Sequence, residues 1–141
     1  MVSAYQLGKT NRQIDCEGIL ERRNKKGDYE LMWRRPLVNR VAPVSVFISE
    51  IDPEVVTFDD WFQVGTSSNT VVIYSAIGRI VGRHALGDII PGSEIQQLEH
   101  SVSSVVWREK VTVDTESNRL VLTIPKSGPV FIDLRTGEVV K

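Results

Sequence analysis

Two aspartates, Asp59 and Asp60, run directly into Trp61 and Phe62, and Glu50, Asp52 and Glu54 precede them on the same stretch of chain. Carboxylates at this density beside two large rings have the composition of an anchor for a positively charged protein. The charges raise the encounter rate, and a ring that loses its water on contact supplies binding energy. The sequence therefore nominates Asp52, Glu54, Asp59, Asp60, Trp61 and Phe62 as partner-binding residues. Core packing of one or both rings competes with this reading, because aromatic side chains dominate small cores. As an acid–base pair, Asp59 and Asp60 fail on geometry: neighbours along a chain point apart in regular structure, and the first turn of a helix accommodates both.

A second cluster is basic. Arg22, Arg23, Lys25, Lys26, Arg34 and Arg35 surround Tyr29 and Trp33, and cations interleaved with rings suit single-stranded nucleic acid, where rings stack on bases and cations follow phosphates. Glu17, Glu21, Asp28 and Glu30 thin that field, so a solvated hairpin face is the competing reading. A third cluster is Arg79, Arg83 and His84 among Gly78, Gly82 and Gly87. Glycine-flexed backbone carrying two guanidinium forks and an imidazole suits an anion, or the pocket of a small enzyme; bent strands with outward arginines explain it equally.

Other chemistries fall away. His84, His100 and Cys16 are the nitrogen and sulfur ligands on offer, and no two share a strand or helix face, so no metal site and no cofactor are expected. Cys16 lies between Asp15 and Glu17, whose charges raise a thiol pKa, and no Gly-x-Ser-x-Gly elbow occurs. Gly8-Lys9-Thr10 lacks both the earlier glycine and the preceding strand of a phosphate-binding loop.

The elements that must position these groups follow from turn residues and periodicity. Residues 17–35 read as a β-hairpin around Asn24 to Asp28, with Gly27 able to take positive φ. Pro36 then ends the second arm. A strand covers 44–48 and a buried one 70–74. Thr57 as N-cap with Asp59 and Asp60 in a first turn predicts a short helix over 57–64. Ser93 and Gln96 form a capping box, and Ile95, Leu98, Val102 and Val105 follow at helical spacing, predicting a helix over 94–103. Runs over 106–113, 119–124, 130–134 and 138–140, separated by short polar links, predict an antiparallel meander.

With 141 residues and 15.9 kDa the chain has material for one core, and one cysteine supplies no staple for two marginal units, so residues 1–141 are read as one domain. Charge is uneven: residues 1–40 hold nine Lys/Arg against five Asp/Glu, residues 41–100 two against eight, and residues 101–141 six against five. That polarity argues for two faces of opposite sign rather than a uniformly basic nucleic-acid binder. No signal-like run precedes Asn11 and no apolar stretch has the length of a membrane span, so a cytoplasmic protein is expected. The fold class expected is α+β: a bent antiparallel sheet or partial barrel with one or two short helices and a carboxy-terminal β-meander. The function expected is non-enzymatic capture of a basic protein, by analogy of size and charge with bacterial immunity proteins that neutralise nuclease toxins. The alternatives carried forward are the basic hairpin as a nucleic-acid or anion binder, and an enzyme pocket at Arg79, Arg83 and His84.

Overall fold

The structure, a computed structural model, describes the backbone of residues 2–3 together with residues 16–50 and 52–140. Asp15 and the Gly8-Lys9-Thr10 tripeptide lie outside the described residues. The molecule is mostly antiparallel β-sheet. Strands β1 (Val2–Ser3), β2 (Glu17–Arg23) and β3 (Tyr29–Pro36) make a first sheet in that order. Strands β4 (Pro43–Ile48), β5 (Val55–Asp60), β6 (Val71–Tyr74) and β7 (Ile80–His84) make a second, a simple meander. Two helices of four residues each, α1 (Leu86–Ile89) and α2 (Gly92–Ile95), lead to a ribbon of β8 (Glu99–His100) and β9 (Val105–Val106). The meander of β10 (Lys110–Asp114), β11 (Arg119–Ile124), β12 (Gly128–Asp133) and β13 (Val139–Val140) completes the chain.

The second sheet is covered on both faces, and its sequence shows why. Val56, Phe58, Val71 and Ile73 pack with Trp107, Leu120, Leu122, Ile124, Ile132 and Leu134. Val55, Val72 and Tyr74 pack with Cys16, Leu20, Trp33 and Leu37. A strand with no solvent face reads as a continuous apolar run, as 71–74 does. β11 has one core face and alternates, with Leu120, Leu122 and Ile124 buried between the more open Arg119, Val121 and Thr123.

This double coverage overturns the helix expected over 57–64. Val55, Val56, Thr57 and Phe58 are fully buried in β5, where β-branched and aromatic side chains fit a pleated surface, and Asp59 and Asp60 end a strand rather than start a helix. The helix expected over 94–103 shrinks to α2 at Gly92–Ile95, with Pro91 in the N-cap position and Ser93 already inside the helix. The chain turns again through Leu98, and His100 pairs with Val105 across β8 and β9, so extended pairing takes the residues the helical spacing claimed. The hairpin over 17–35 forms as expected. Asn24 accepts backbone N–H bonds from Lys26 and Asp28 through its Oδ1, and Gly27 takes φ 89°.

Two glycines bring the link between β12 and β13 against β7. A Cβ on Gly82 would stand 2.6 Å from the carbonyl oxygen of Gly137, and one on Gly137 would collide with the Val81 carbonyl. Gly137 also has φ 76°, and its carbonyl receives the His84 Nε2–H at 2.6 Å. Gly137→Ala is therefore expected to destabilise the protein by about 2–3 kcal/mol, from left-handed strain and forced separation of two backbones. A urea-unfolding midpoint within error of the parent would contradict that close packing.

Candidate functional site

The chain reverses between β5 and β6 through residues 60–69, and two adjacent carboxylates fix the reversal from opposite sides. Asp59 has φ 61°, a conformation Asp tolerates better than most residues. Strict alternation would put Asp59 on the face of Val55 and Thr57. Its carboxylate instead accepts the Gly65 amide at 2.7 Å and the Trp107 indole Nε1–H at 3.1 and 3.2 Å, on the side where Phe58 meets Trp107. Asp60 accepts Asn39 Nδ2 at 2.7 Å and Asn69 Nδ2 at 3.0 Å. Asn69 in turn receives Arg83 Nε at 2.7 Å, and Arg83 Nη2 reaches Ser68 Oγ at 3.2 Å. Gly65 is wedged against Val105 and Trp107, and Val105 N donates to the Val64 carbonyl. Residues distant in sequence thus over-determine one short turn.

What the turn displays is apolar. Trp61 is 49% and Phe62 76% exposed, their rings 5.7 Å apart at an interplanar angle of 72°. Trp61 N donates to the Ala42 carbonyl beside the exposed Val41 and Val44, and Phe62 sits at φ 72°. A bulky residue in left-handed backbone costs of order 1–2 kcal/mol and persists where the surroundings enforce it, a pattern concentrated at functional sites. On the Asp59 side lies a groove of about 210 Å³, walled by Val44, Val64, Val105 and Val106 and reaching Trp107, Asp59 and Arg108. The Arg108 guanidinium lies 4.2 Å above the Phe58 ring and donates one bond, Nη2 to Ser45 Oγ at 3.0 Å.

Burial sets the charges here. Asp59 is 1% exposed, and burial pushes its carboxyl pKa above the ordinary range despite the bonds from Gly65 and Trp107 and the nearby Arg108 charge. Burial lowers Arg108 from its ordinary value, with the Asp59 charge opposing.

The other nominated acids do not ring the aromatic pair. Glu54 is 3% exposed, its carboxyl raised chiefly by burial while Asn118 Nδ2 donates to it at 3.3 Å. Glu50 and exposed Asp52 belong to the loop at the Val55 end of β5, about 17 Å along the strand from Asp60. Glu54 and Asp59 therefore serve internal hydrogen bonds, and a continuous acidic rim does not form.

The basic cluster is dispersed by the pleat. Arg22, Arg23, Lys25 and Lys26 are exposed at the hairpin end, whereas Trp33 is 6% exposed against Tyr74 and offers no ring to a base. Arg34 pairs with Glu17 at 2.8 Å, and Arg35 Nε donates to the Ile77 carbonyl. Arg83 and His84, neighbours on β7, engage different partners. Arg79 closes the β6–β7 turn with Ser75, Arg83 engages Asn69 and Ser68, and His84 engages Gly137. Burial, with the Asp60 charge adding to it, pushes the Cys16 thiol up to about 11. Among the described residues no group of three His, Cys, Asp or Glu side chains could hold a metal ion, and no helix is long and apolar enough to cross a membrane.

Sequence reasoning missed Asn39, Asn69, Trp107, Arg108 and the valine walls. The Asp59 to Trp107 bond joins residues 48 apart, and nothing local announces it. The one available signal was Asp-Asp followed by Gly65, two left-handed-tolerant residue types flanking a pair of rings. No family model matches the chain, and no curated protein or solved structure matches it.

Proposed function

We propose that the protein is a non-enzymatic recognition module that binds a partner protein through Trp61 and Phe62, presented ready-made on the turn between β5 and β6. One observation carries the reading: two large exposed rings, in edge-on contact, stand on a turn with left-handed backbone at Asp59 and Phe62, next to the hydrogen-bonded carboxylates of Asp59 and Asp60. Holding apolar surface rigid in water costs stability in the free protein and lowers the ordering entropy lost on binding. Large rings in central, desolvated contacts are the usual hot spots of interfaces. Capture and occlusion of a toxin, in the manner of an immunity protein in the cytoplasm, is the form we favour. The recess for the rings, rather than a surrounding field of carboxylates, defines the partner, and a basic nuclease toxin is one such partner.

The test compares immobilised parent protein with the Trp61→Ala/Phe62→Gly variant in paired captures from the source cell, with quantitative mass spectrometry. The expected result is a protein retained by the parent and lost by the variant, while the urea midpoints of the two agree. Identical retained sets with an intact variant would overturn the proposal.

A further inference from the structure

Arg108 is a half-buried guanidinium with most of its donors unspent. Of five N–H groups, one bonds Ser45, and Nε is buried without a partner. Its plane is fixed by stacking, 4.2 Å over Phe58 and 5.6 Å from the Trp107 ring. Stacking of this kind sets a guanidinium in place before any ligand arrives. Asp59 offsets the charge of Arg108, but that carboxylate is 1% exposed and already accepts Gly65 N and Trp107 Nε1. Of the two charged side chains lining the groove, Asp59 is buried and Arg108 half-buried. Around it stand Val44, Val64, Val105 and Val106, with Val106 53% exposed at the rim. Apolar walls exclude water and strengthen a charge-assisted hydrogen bond at the base.

We infer that the groove beside the aromatic turn receives a partner segment carrying a carboxylate, an Asp or Glu side chain next to an aliphatic residue, which Arg108 grips end-on through its terminal nitrogens while the valines enclose the aliphatic neighbour. This rests on the turn being a recognition surface and specifies the chemistry of what docks beside it. The occupant follows from charge complementarity: of the groove's two charged side chains, Asp59 is buried and already accepts Gly65 N and Trp107 Nε1, while Arg108 keeps donors unspent, so a carboxylate is favoured over a lysine or arginine.

The probes are two capped peptides, Ac-Leu-Glu-Leu-NH2 and Ac-Leu-Gln-Leu-NH2, titrated into the full chain and followed by the indole N–H signal of Trp107 and the Nε–H signal of Arg108. The glutamate peptide should produce saturable shifts with a Kd of about 1 mM, and the glutamine peptide at least about tenfold weaker ones. Val106→Asp, at an exposed site where folding is little affected, should weaken the glutamate peptide about tenfold, and Val106→Lys should strengthen it. Arg108→Gln, which removes both the charge and the stacked fork, should abolish the difference between the peptides, and Arg108→Lys, which keeps the charge alone, should narrow it. Equal shifts from both peptides, absence of saturation up to about 10 mM, or indifference to the charge at position 106 would each overturn the assignment. A carboxylate preference that fails while Trp61→Ala/Phe62→Gly still releases the partner would remove the groove's role alone. The reverse pattern would remove the aromatic anchor and leave the groove.

Discussion

Asp59→Ala should destabilise the protein by about 4 kcal/mol in urea unfolding, the largest effect expected of any single change at the site. Three costs add. The Gly65 amide and the Trp107 indole lose their acceptor in a buried setting, at about 1–3 kcal/mol each. Alanine at φ 61° carries left-handed strain of about 1 kcal/mol beyond what Asp carries. Arg108 loses its neighbouring countercharge. Relief of the desolvation of a buried carboxylate offsets part of the sum. Asp59→Asn keeps one acceptor and a residue type that accepts this backbone, so its cost should be about 1–2 kcal/mol. Equal costs for the two variants would mean that neither the second hydrogen bond nor the backbone conformation matters.

Protonation of the same residue has the opposite sign. Burial raises the carboxyl pKa values of Asp59 and Glu54 above their ordinary 3.8 and 4.5, so the folded protein holds these protons more tightly than the unfolded chain. Their contribution to stability is therefore fully present below those ordinary values and is lost as pH rises through the raised folded values. Asp114 and Asp133 run the other way. Side-chain and backbone donors from Ser117 and Glu116 lower Asp114, and the Thr136 amide leads the lowering of Asp133, so their contributions fade on acidification. Both are surface groups whose effects solvent screens. Urea midpoints of the parent should accordingly rise, relative to those of Asp59→Asn, as pH falls from neutrality toward 4.5. A parent that loses stability relative to that variant over this range would contradict the burial of Asp59.

The second large effect is on affinity. Trp61 and Phe62 retain enough exposed surface that a partner's recess would desolvate both, and truncating each should cost about 2 kcal/mol of binding, or about a thousandfold in Kd for the pair. Stability should respond differently. Phe62 holds φ 72° without being buried, so Phe62→Gly relieves strain while removing no core contact. After the greater entropy of glycine in the unfolded chain, the midpoint should stay level or rise by about 0.5 kcal/mol. A change that strengthens the free protein and weakens the complex is the signature of surface kept for binding. Calorimetric titration of the captured partner into Trp61→Ala and Phe62→Gly, beside urea curves of the same variants, measures both. A Kd within twofold of the parent would count against the rings.

How far the sequence disclosed this arrangement follows from how local each determinant is. The β2–β3 hairpin and the β10–β13 meander were legible because turn chemistry and alternation lie within a few residues: Asn24 and Gly27 in the first, Leu120, Leu122 and Ile124 in the second. β5 was misread because Asp59 and Asp60 look the same at a helix start as at a strand end, and only the coverage of both its faces, by Trp33 and Leu20 on one side and Trp107 and Leu122 on the other, decides the matter. The fold leaves the nominated rings of Trp61 and Phe62 exposed and turns two of the nominated acids, Glu54 and Asp59, inward to hydrogen-bond donors. Whether a carboxylate steers a visitor or braces a turn depends on Trp107, Asn39 and Asn69, which reach the site from three separate segments. Arg108 gave no local cue, since its meaning comes from the two rings beneath it.

Backbone 15N relaxation of the unbound protein tests most directly whether the aromatic pair is a built surface rather than a loose loop. If Asp59 and Asp60 brace the reversal, the amides of Trp61, Phe62 and Gly65 should have order parameters near those of β5 and β6, about 0.85. Values below about 0.6 at Trp61 and Phe62, with the flanking strands rigid, would mean that the rings sweep through solvent and that no prepared recognition surface exists there.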